Sequence, residues 1–593
     1  MVLRLTTASL LATFVSCSSN PAPIGRAAAS VVVTPATNTI AIGQSVQLAA
    51  VAAAADGALL TNPITWTSSK TDVGTVSSSG LVIGLSPGTT VITAAVDSVS
   101  GTATVTVTAA GGGTAPPVLN CKPSSTSLLE HHSNSCRDGR FQSVGLSRAA
   151  TASLQPDATF KATLAGQMFY AQPLYFPGGP GGKTLVIVAS EQNIVTALDA
   201  ADGTVVWQTP LGKPVPQAKF SCGNIDPLGV TGTPVIDATS RTLFAAAMTT
   251  PDDGTTKKHQ VFALSLDDGT FRANWPVDVG AKVVFNQTAF NSSLQNQRGA
   301  LAFVNGTVYV PYSGFFGDCG AYHGWVVAIP SATPQSPTAW ATQAQGGGIW
   351  GPSGIASDGA SVFAATGNTF TGGIWGNGEA LLRFNAGAAL ADSYAPANWQ
   401  TLDNQDLDVG GSGVILLDLP NSTPSNLAVS LGKNGSVYLL NRNGLGGIGG
   451  PAVIAPVAST PIVNAAAAYT TTLGTYVVFR GKGTACPVGQ SGDLTAVKIN
   501  QGNPPTITTA WCAAQNGSGS PMVTTTDGSA ESIAWSLGAG TDQKLHAFNG
   551  DTGAVIFTSA ALGTVSTFMT PIVGGGRIFV AANGSVQAFT PSK

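Results

Sequence analysis

One pattern returns along most of this chain. An apolar strand built around an Ala–apolar pair, or a looser equivalent, occurs at Ala197-Leu198, Ala263-Leu264, Ala328-Ile329, Arg383-Phe384, Tyr438-Leu439, Ala496-Val497, Ala547-Phe548 and Ala588-Phe589. The spacings are 66, 65, 55, 55, 58, 51 and 41 residues. Several copies run into a turn and a second strand with an aromatic residue. Asp199 to Trp207 is the clearest; Leu266 to Trp275 and Asn549 to Phe557 follow it. Asp-Gly and Thr-Gly in these turns supply the positive φ that tight hairpins require. Upstream of the pairs lies a second element: Gln172-Pro173-Leu174, Thr233-Pro234-Val235, Thr460-Pro461-Ile462, Ser520-Pro521-Met522 and Thr570-Pro571-Ile572. Proline is tolerated at the first residue of a strand or on an edge. Each repeat therefore holds about four short strands at a period of roughly 40–60 residues, the signature of a β-propeller.

Eight inner copies predict eight blades; seven is the alternative if the copy at Arg383 or Ala588 does not count. The last copy has no outer strand after it. Thr159 to Leu164, just ahead of the first blade, could supply that strand and close the ring without an open edge. Composition supports the all-β reading. Charged residues are 9% and Gly numbers 72, which suits short strands and tight turns better than amphipathic helices with charged outer faces. The net charge of -3 gives no reason to expect a nucleic acid or an anionic membrane surface as partner.

The N-terminus reads as an export signal over residues 1–17. Arg4 precedes the apolar stretch Leu5 to Val15, too short to span a bilayer. Phe14-Val15-Ser16-Cys17 resembles a bacterial lipoprotein cleavage site, with Cys17 as the lipidated residue; an ordinary signal peptide is the alternative. The expected location is the cell envelope, held by a lipid anchor, or the extracellular space. Six cysteines remain, and an even number in an exported chain suggests three disulfides out of 15 pairings. Proximity favours Cys121–Cys136 and Cys486–Cys512, leaving Cys222–Cys319; six free thiols are the alternative.

Residues 18–29 read as a tether and 30–109 as a small β-sandwich with period-two alternation. Trp66 is expected to anchor its core. Trp66, Ser68-Ser69, Val73, Val76, Gly80, Val82, Gly88, Ile92 and Ala94 resemble the bacterial Ig-like group 2 (Big2) pattern. Such modules are spacers or adhesion units, and a stalk is the reading preferred here. Residues 110–155 read as a Gly/Pro linker and a disulfide-closed surface loop. His131-His132 lies between Cys121 and Cys136: a metal-binding pair is one reading, an ordinary surface loop the preferred one.

Residues 156–593 read as the propeller. Ala197, Asp199, Gly203 and Trp207 resemble the PQQ-type blade repeat. The stretches around Met168 to Tyr175, Tyr322 to Val326, Gly346 to Trp350 and Ala365 to Asn368 resemble bacterial PQQ-like repeat proteins. In quinoprotein dehydrogenases of this fold, pyrroloquinoline quinone (PQQ) lies in the tunnel with Ca2+, a stacking Trp, often a disulfide between adjacent cysteines, and an Asp base. This sequence has no Cys-Cys pair and no C-x-x-C-H haem motif. Scarce polar residues near strand ends remain candidates: Arg298 or Lys433 for a carboxylate or quinone oxygens, Trp350 for stacking, Asn368 beside them, and His323 or Asp408 for a proton. Each also has an ordinary role: Lys433 in a hairpin, Trp350 in blade packing, His323 and Asp408 holding loops. The function expected is an exported surface platform on an Ig-like stalk that binds a cell-surface protein or polysaccharide as a monomer. Oxidation of an alcohol or sugar with PQQ and Ca2+ is the alternative. An outer-membrane assembly scaffold fits the added Ig-like module less well.

Overall fold

A computed structural model describes residues 27–592, apart from 42–44, 61, 79, 85, 109–118, 120, 123–125, 371, 372 and 374. The leader with Cys17 and the Gly/Pro linker lie outside the described residues. The chain divides into two compact units, Met1–Gly113 and Thr114–Lys593. No helix among the described residues is long and apolar enough to cross a membrane.

In the first unit the long strands Gly88–Val96 and Val99–Thr108 pair antiparallel and alternate buried with exposed residues. This is the period-two signature of a sheet with one buried face. Val33, Val82, Ile92, Ala94 and Val105 form the core, and the half-buried Trp66 packs against it. Gly80 shows why this position favours glycine. It has φ +83°, and a Cβ there would stand 2.6 Å from the Leu48 carbonyl oxygen and 2.8 Å from the Trp66 ring.

In the second unit eight sheets, each with four or more strands, follow one another among the described residues. Their inner strands begin at Leu174, Val235, Ala302, Ala356, Val414, Ala467, Met522 and Ile572. The repeated Ala–apolar pair has a local geometry of its own. At Ala197/Leu198, Arg383/Phe384, Ala496/Val497 and Ala547/Phe548 the pairing register to the outer strand shifts, as at a β-bulge. A bulge raises the local twist, which turns the outer strand away from the axis. The motif's Trp and Gly meet across neighbouring sheets. The Trp207 indole N–H donates to the Leu266 carbonyl (3.0 Å) and its ring lies on Gly269; Trp511 repeats this with Gly550 (2.7 Å) and Gly553. Both glycines have positive φ, and an added Cβ would come within 2.6–2.7 Å of the indole.

The ring closes through the chain ahead of the first sheet. Leu154–Pro156 and Ala162–Thr163 both pair antiparallel with Ser585–Pro591, giving the eighth sheet its outer edge in two pieces. Thr159 to Leu164 is thus the region that supplies the second piece.

Residues 128–143 depart from expectation. They do not form a surface loop: His131 and His132 are 3% and 0% exposed, and Arg137 is fully buried. The segment runs along the inner strands as a hub. Leu128 pairs with Tyr175 of the first sheet, and Ile236 of the second donates to the Leu129 carbonyl. Arg137 donates to the Leu301 carbonyl beside the third. Backbone N–H groups of Ser357, Leu416, Ala468 and Val523 donate to Ser135, Cys136, Asp138 and Gly139. Seven consecutive sheets are tied to one segment. The reason is hydrogen-bond satisfaction: inner strands leave N–H and C=O groups facing the axis, and buried ones need partners. The pattern has no apolar periodicity, so it reads as a loop from sequence. The three disulfides join Cys121–Cys136, Cys222–Cys319 and Cys486–Cys512.

Candidate functional site

The segments that lead into the inner strands frame a cavity of about 470 Å³, within the range of small-ligand sites. Its position follows from chain geometry. Tyr170, Arg298, Val463 and Phe568 each stand four residues ahead of an inner strand, and Trp350 and Asp408 stand six ahead. At roughly 3.3 Å per residue, this separates the cavity wall from the hub below. Five of the six candidates named from sequence, Arg298, Trp350, Asn368, Asp408 and Lys433, line this cavity. His323 does not. Its ring Nδ1 lies 2.9 Å from the Thr342 carbonyl and its backbone N–H donates to Gln295, so it holds a loop behind the wall.

Asp408 is the centre of one cluster. It accepts from the Trp350 indole N–H (2.8 Å) and the Asn368 backbone N–H (3.1 Å), and its carboxylate lies 2.9 Å from Lys433 Nζ. Lys433 also reaches Asp406 and sits 5.1 Å from the centre of the Trp350 ring. Burial acts to lower the Lys433 pKa, but Asp408 and Asp406 outweigh it and hold the ammonium above its ordinary value. Behind them Glu379 is fully buried and accepts from the Val409 N–H. Burial first, and then the Asp408 charge, push its pKa up to about 9, so Glu379 holds a proton at neutral pH.

Arg298 is a different case. It is half-buried, its Nε is buried without a partner, and its guanidinium lies 5.7 Å from the centre of the Phe568 ring. Among the described residues no ion pair or hydrogen bond engages it. The Arg298 and Glu191 charges interact, but Glu191 is itself pushed up to about 7, chiefly by burial, and it accepts from the Gly229 N–H. An arginine remains charged here, so the cavity presents one uncommitted cation.

Sequence reasoning missed Tyr170 and Phe568, whose signal is their fixed offset ahead of an inner strand. It also missed Asn224, Phe315, Phe316 and Asp318. These stand on the segments carrying Cys222 and Cys319, and the disulfide holds the two segments together at the cavity.

The arrangement allows a test of fit for PQQ and Ca2+. The cavity has room for a planar acid, and Arg298 can take a carboxylate. A Ca2+ ion fits poorly at Asp408, because three donors already engage its carboxylate and the Lys433 ammonium stands where a cation would bind. Among the described residues no group of three or more His, Cys, Asp or Glu side chains is placed to hold a metal ion.

Comparison with known proteins agrees with this architecture. Residues 27–107 match the bacterial Ig-like domain (group 2) family, and residues 181–376 match the PQQ_2 family, described as outer membrane protein assembly factor BamB. A curated relative, ice-binding protein 1 of Shewanella frigidimarina, is 40% identical over 83 residues, 14% of this chain and only 9% of that protein. Among solved structures, the quinohemoprotein alcohol dehydrogenase ADHIIG of Pseudomonas putida HK5 is similar over 78% of this chain and 80% of its own, with TM-score 0.56 and 14% identity. The quinohemoprotein alcohol dehydrogenase of Comamonas testosteroni (79% and 82%, TM-score 0.54, 14% identity) and a europium-containing methanol dehydrogenase (78% and 90%, TM-score 0.55, 15% identity) are similar too. At these identities the likeness is one of fold. The chain joins a domain that matches the group 2 bacterial Ig-like family to a β-propeller whose residues 181–376 match PQQ-type repeats.

Proposed function

We propose that this chain is an exported binding protein of the cell envelope, whose propeller holds a small anionic ligand in the tunnel mouth and whose Ig-like domain serves as the stalk. The observation that carries this is Arg298, a charged guanidinium lining a concave site with no ion pair or hydrogen bond among the described residues. Desolvating a cation without a partner is costly, and a ligand carboxylate would relieve that cost with a charge-assisted, two-pronged hydrogen bond. The hub is bonded to seven of the eight sheets, and in this reading ligand enters and leaves by the mouth. Titration calorimetry of the full chain with small carboxylates tests this. Saturable binding that Arg298→Met abolishes is the expected result; binding unchanged by Arg298→Met would overturn it.

A second reading, a PQQ-dependent oxidoreductase, draws on the dehydrogenase-like fold and on Trp350 and Arg298 sharing one cavity. In that reading Arg298 would hold a quinone carboxylate, and the quinone would supply the redox chemistry. Addition of PQQ and Ca2+, followed by dye reduction with alcohols and sugars, tests it. A rise in melting temperature together with dye reduction is its expected outcome.

A further inference from the structure

The mouth has more acid than base on its walls. Two cationic side chains, Arg298 and Lys433, face three carboxylates, Asp318, Asp406 and Asp408. Lys433 already bridges Asp406 and Asp408, so Arg298 alone is uncommitted. A ligand with several negative charges would bring them against these carboxylates at short range, which is unfavourable in a partly enclosed site. A ligand with one carboxylate meets one cation and no such penalty. The remaining carboxylate oxygens are acceptors only, suited to ligand hydroxyl groups. Aromatic rings fill the spaces between the charges. Tyr322, fixed by its hydroxyl's 2.6 Å bond to Asp318, and Phe568 beneath Arg298 line the cavity, Tyr322 with only 3% of its surface exposed. Phe316 stands at the lip with 64% of its surface exposed. Apolar faces next to hydroxyl acceptors are what a pyranose ring requires, with C–H groups on one face and hydroxyls at its edge.

We propose that the ligand is an acidic sugar: a single ring with one carboxylate on Arg298 and hydroxyls on the Asp318 and Asp406 side, with any attached chain leaving over Phe316. The inference rests on the anion-site reading above and narrows it to a class. A free uronic acid and the end of an acidic polysaccharide share this chemistry, and Phe316 distinguishes them.

The test uses the full chain and calorimetry with glucuronate, a glucuronate-terminated oligosaccharide, glucose, acetate and PQQ. Glucuronate should bind, glucose should bind at least about tenfold more weakly, and Arg298→Met should weaken glucuronate by about 30-fold or more. Arg298→Lys, which keeps the charge and loses the fork, should fall between. Melting curves establish that each variant is folded. If the ligand is a polymer end, Phe316→Ala weakens the oligosaccharide and leaves the monosaccharide unchanged; if both bind alike in wild type and variant, the ligand is the free acid. If acetate or PQQ binds through Arg298 and glucuronate does not, the acidic-sugar inference fails and the anion site stands. If glucose binds as well as glucuronate, the inference fails as well. If no carboxylate binds, or Arg298→Met binds all of them as wild type does, the anion-site reading fails and takes this one with it.

Discussion

Two arginines lie close together in the propeller, one in the hub and one in the cavity wall, and Arg137 donates to the carbonyl of Leu301, three residues after Arg298. In the hub, every terminal nitrogen of Arg137 has a partner: Nε donates to the Ile355 carbonyl, Nη1 to Glu130 and the His131 carbonyl, and Nη2 to the Leu301 carbonyl. At the mouth, Arg298 has an aromatic ring beneath it and no acceptor among the described residues. Both carry a desolvated charge, yet one fixes the fold and the other is left for something outside it. Burial alone does not separate structural from functional cations; the state of their hydrogen bonds does.

The comparison breaks most visibly if Arg137 proves dispensable. Arg137→Met strands Glu130 and three carbonyls, and should cost about 3–5 kcal/mol in denaturant unfolding. Next in size is pH. Burial holds His132 down to about 3, against an ordinary 6.5. A depressed histidine binds fewer protons folded than unfolded, so its contribution is full above pH 6.5 and is lost as pH falls towards 3. That is about 3 kcal/mol between pH 6.5 and 4. Glu191, raised to about 7, has the opposite sign: its contribution is full below pH 4.5 and is lost as pH rises through 7. His132→Asn should therefore flatten the acid limb of a stability–pH curve and Glu191→Gln the neutral limb. Identical curves for the two variants would show that hub and mouth are not electrostatically distinct. Trp350→Phe removes the indole N–H from Asp408 and should cost about 1–2 kcal/mol. Arg298→Met should cost least, about 0–1 kcal/mol, because no partner is stranded. A loss as large as that of Arg137→Met would mean that Arg298 has a structural duty.

Much of this was legible in the sequence. The Ala–apolar pairs and the Asp-Gly turns report strands and hairpins because local chemistry sets both. Trp207 was readable for the same reason, through a motif whose Gly and Trp serve adjacent sheets. Arg298, Asp408 and Lys433 were found because charged side chains are scarce in this chain, and Trp350 and Asn368 because they close stretches that resemble PQQ-like repeat proteins. The hub was not legible. Residues 128–143 carry no period, since their backbone pairs with strands up to several hundred residues away and their side chains follow no single face. Phe316 and Asp318 were hidden for a related reason: they enter the site through a cross-link between distant segments.

The hub also decides where a load would travel. The chain passes from the N-terminal domain into the propeller at residues that seven sheets grip at once. Tension applied from the N-terminal side of the chain would reach these contacts before it reached the Leu154–Pro156 edge strand. Many short hydrogen bonds would then bear the force together, in the manner of a rivet set through a stack of plates, and no single outer strand would be peeled away first.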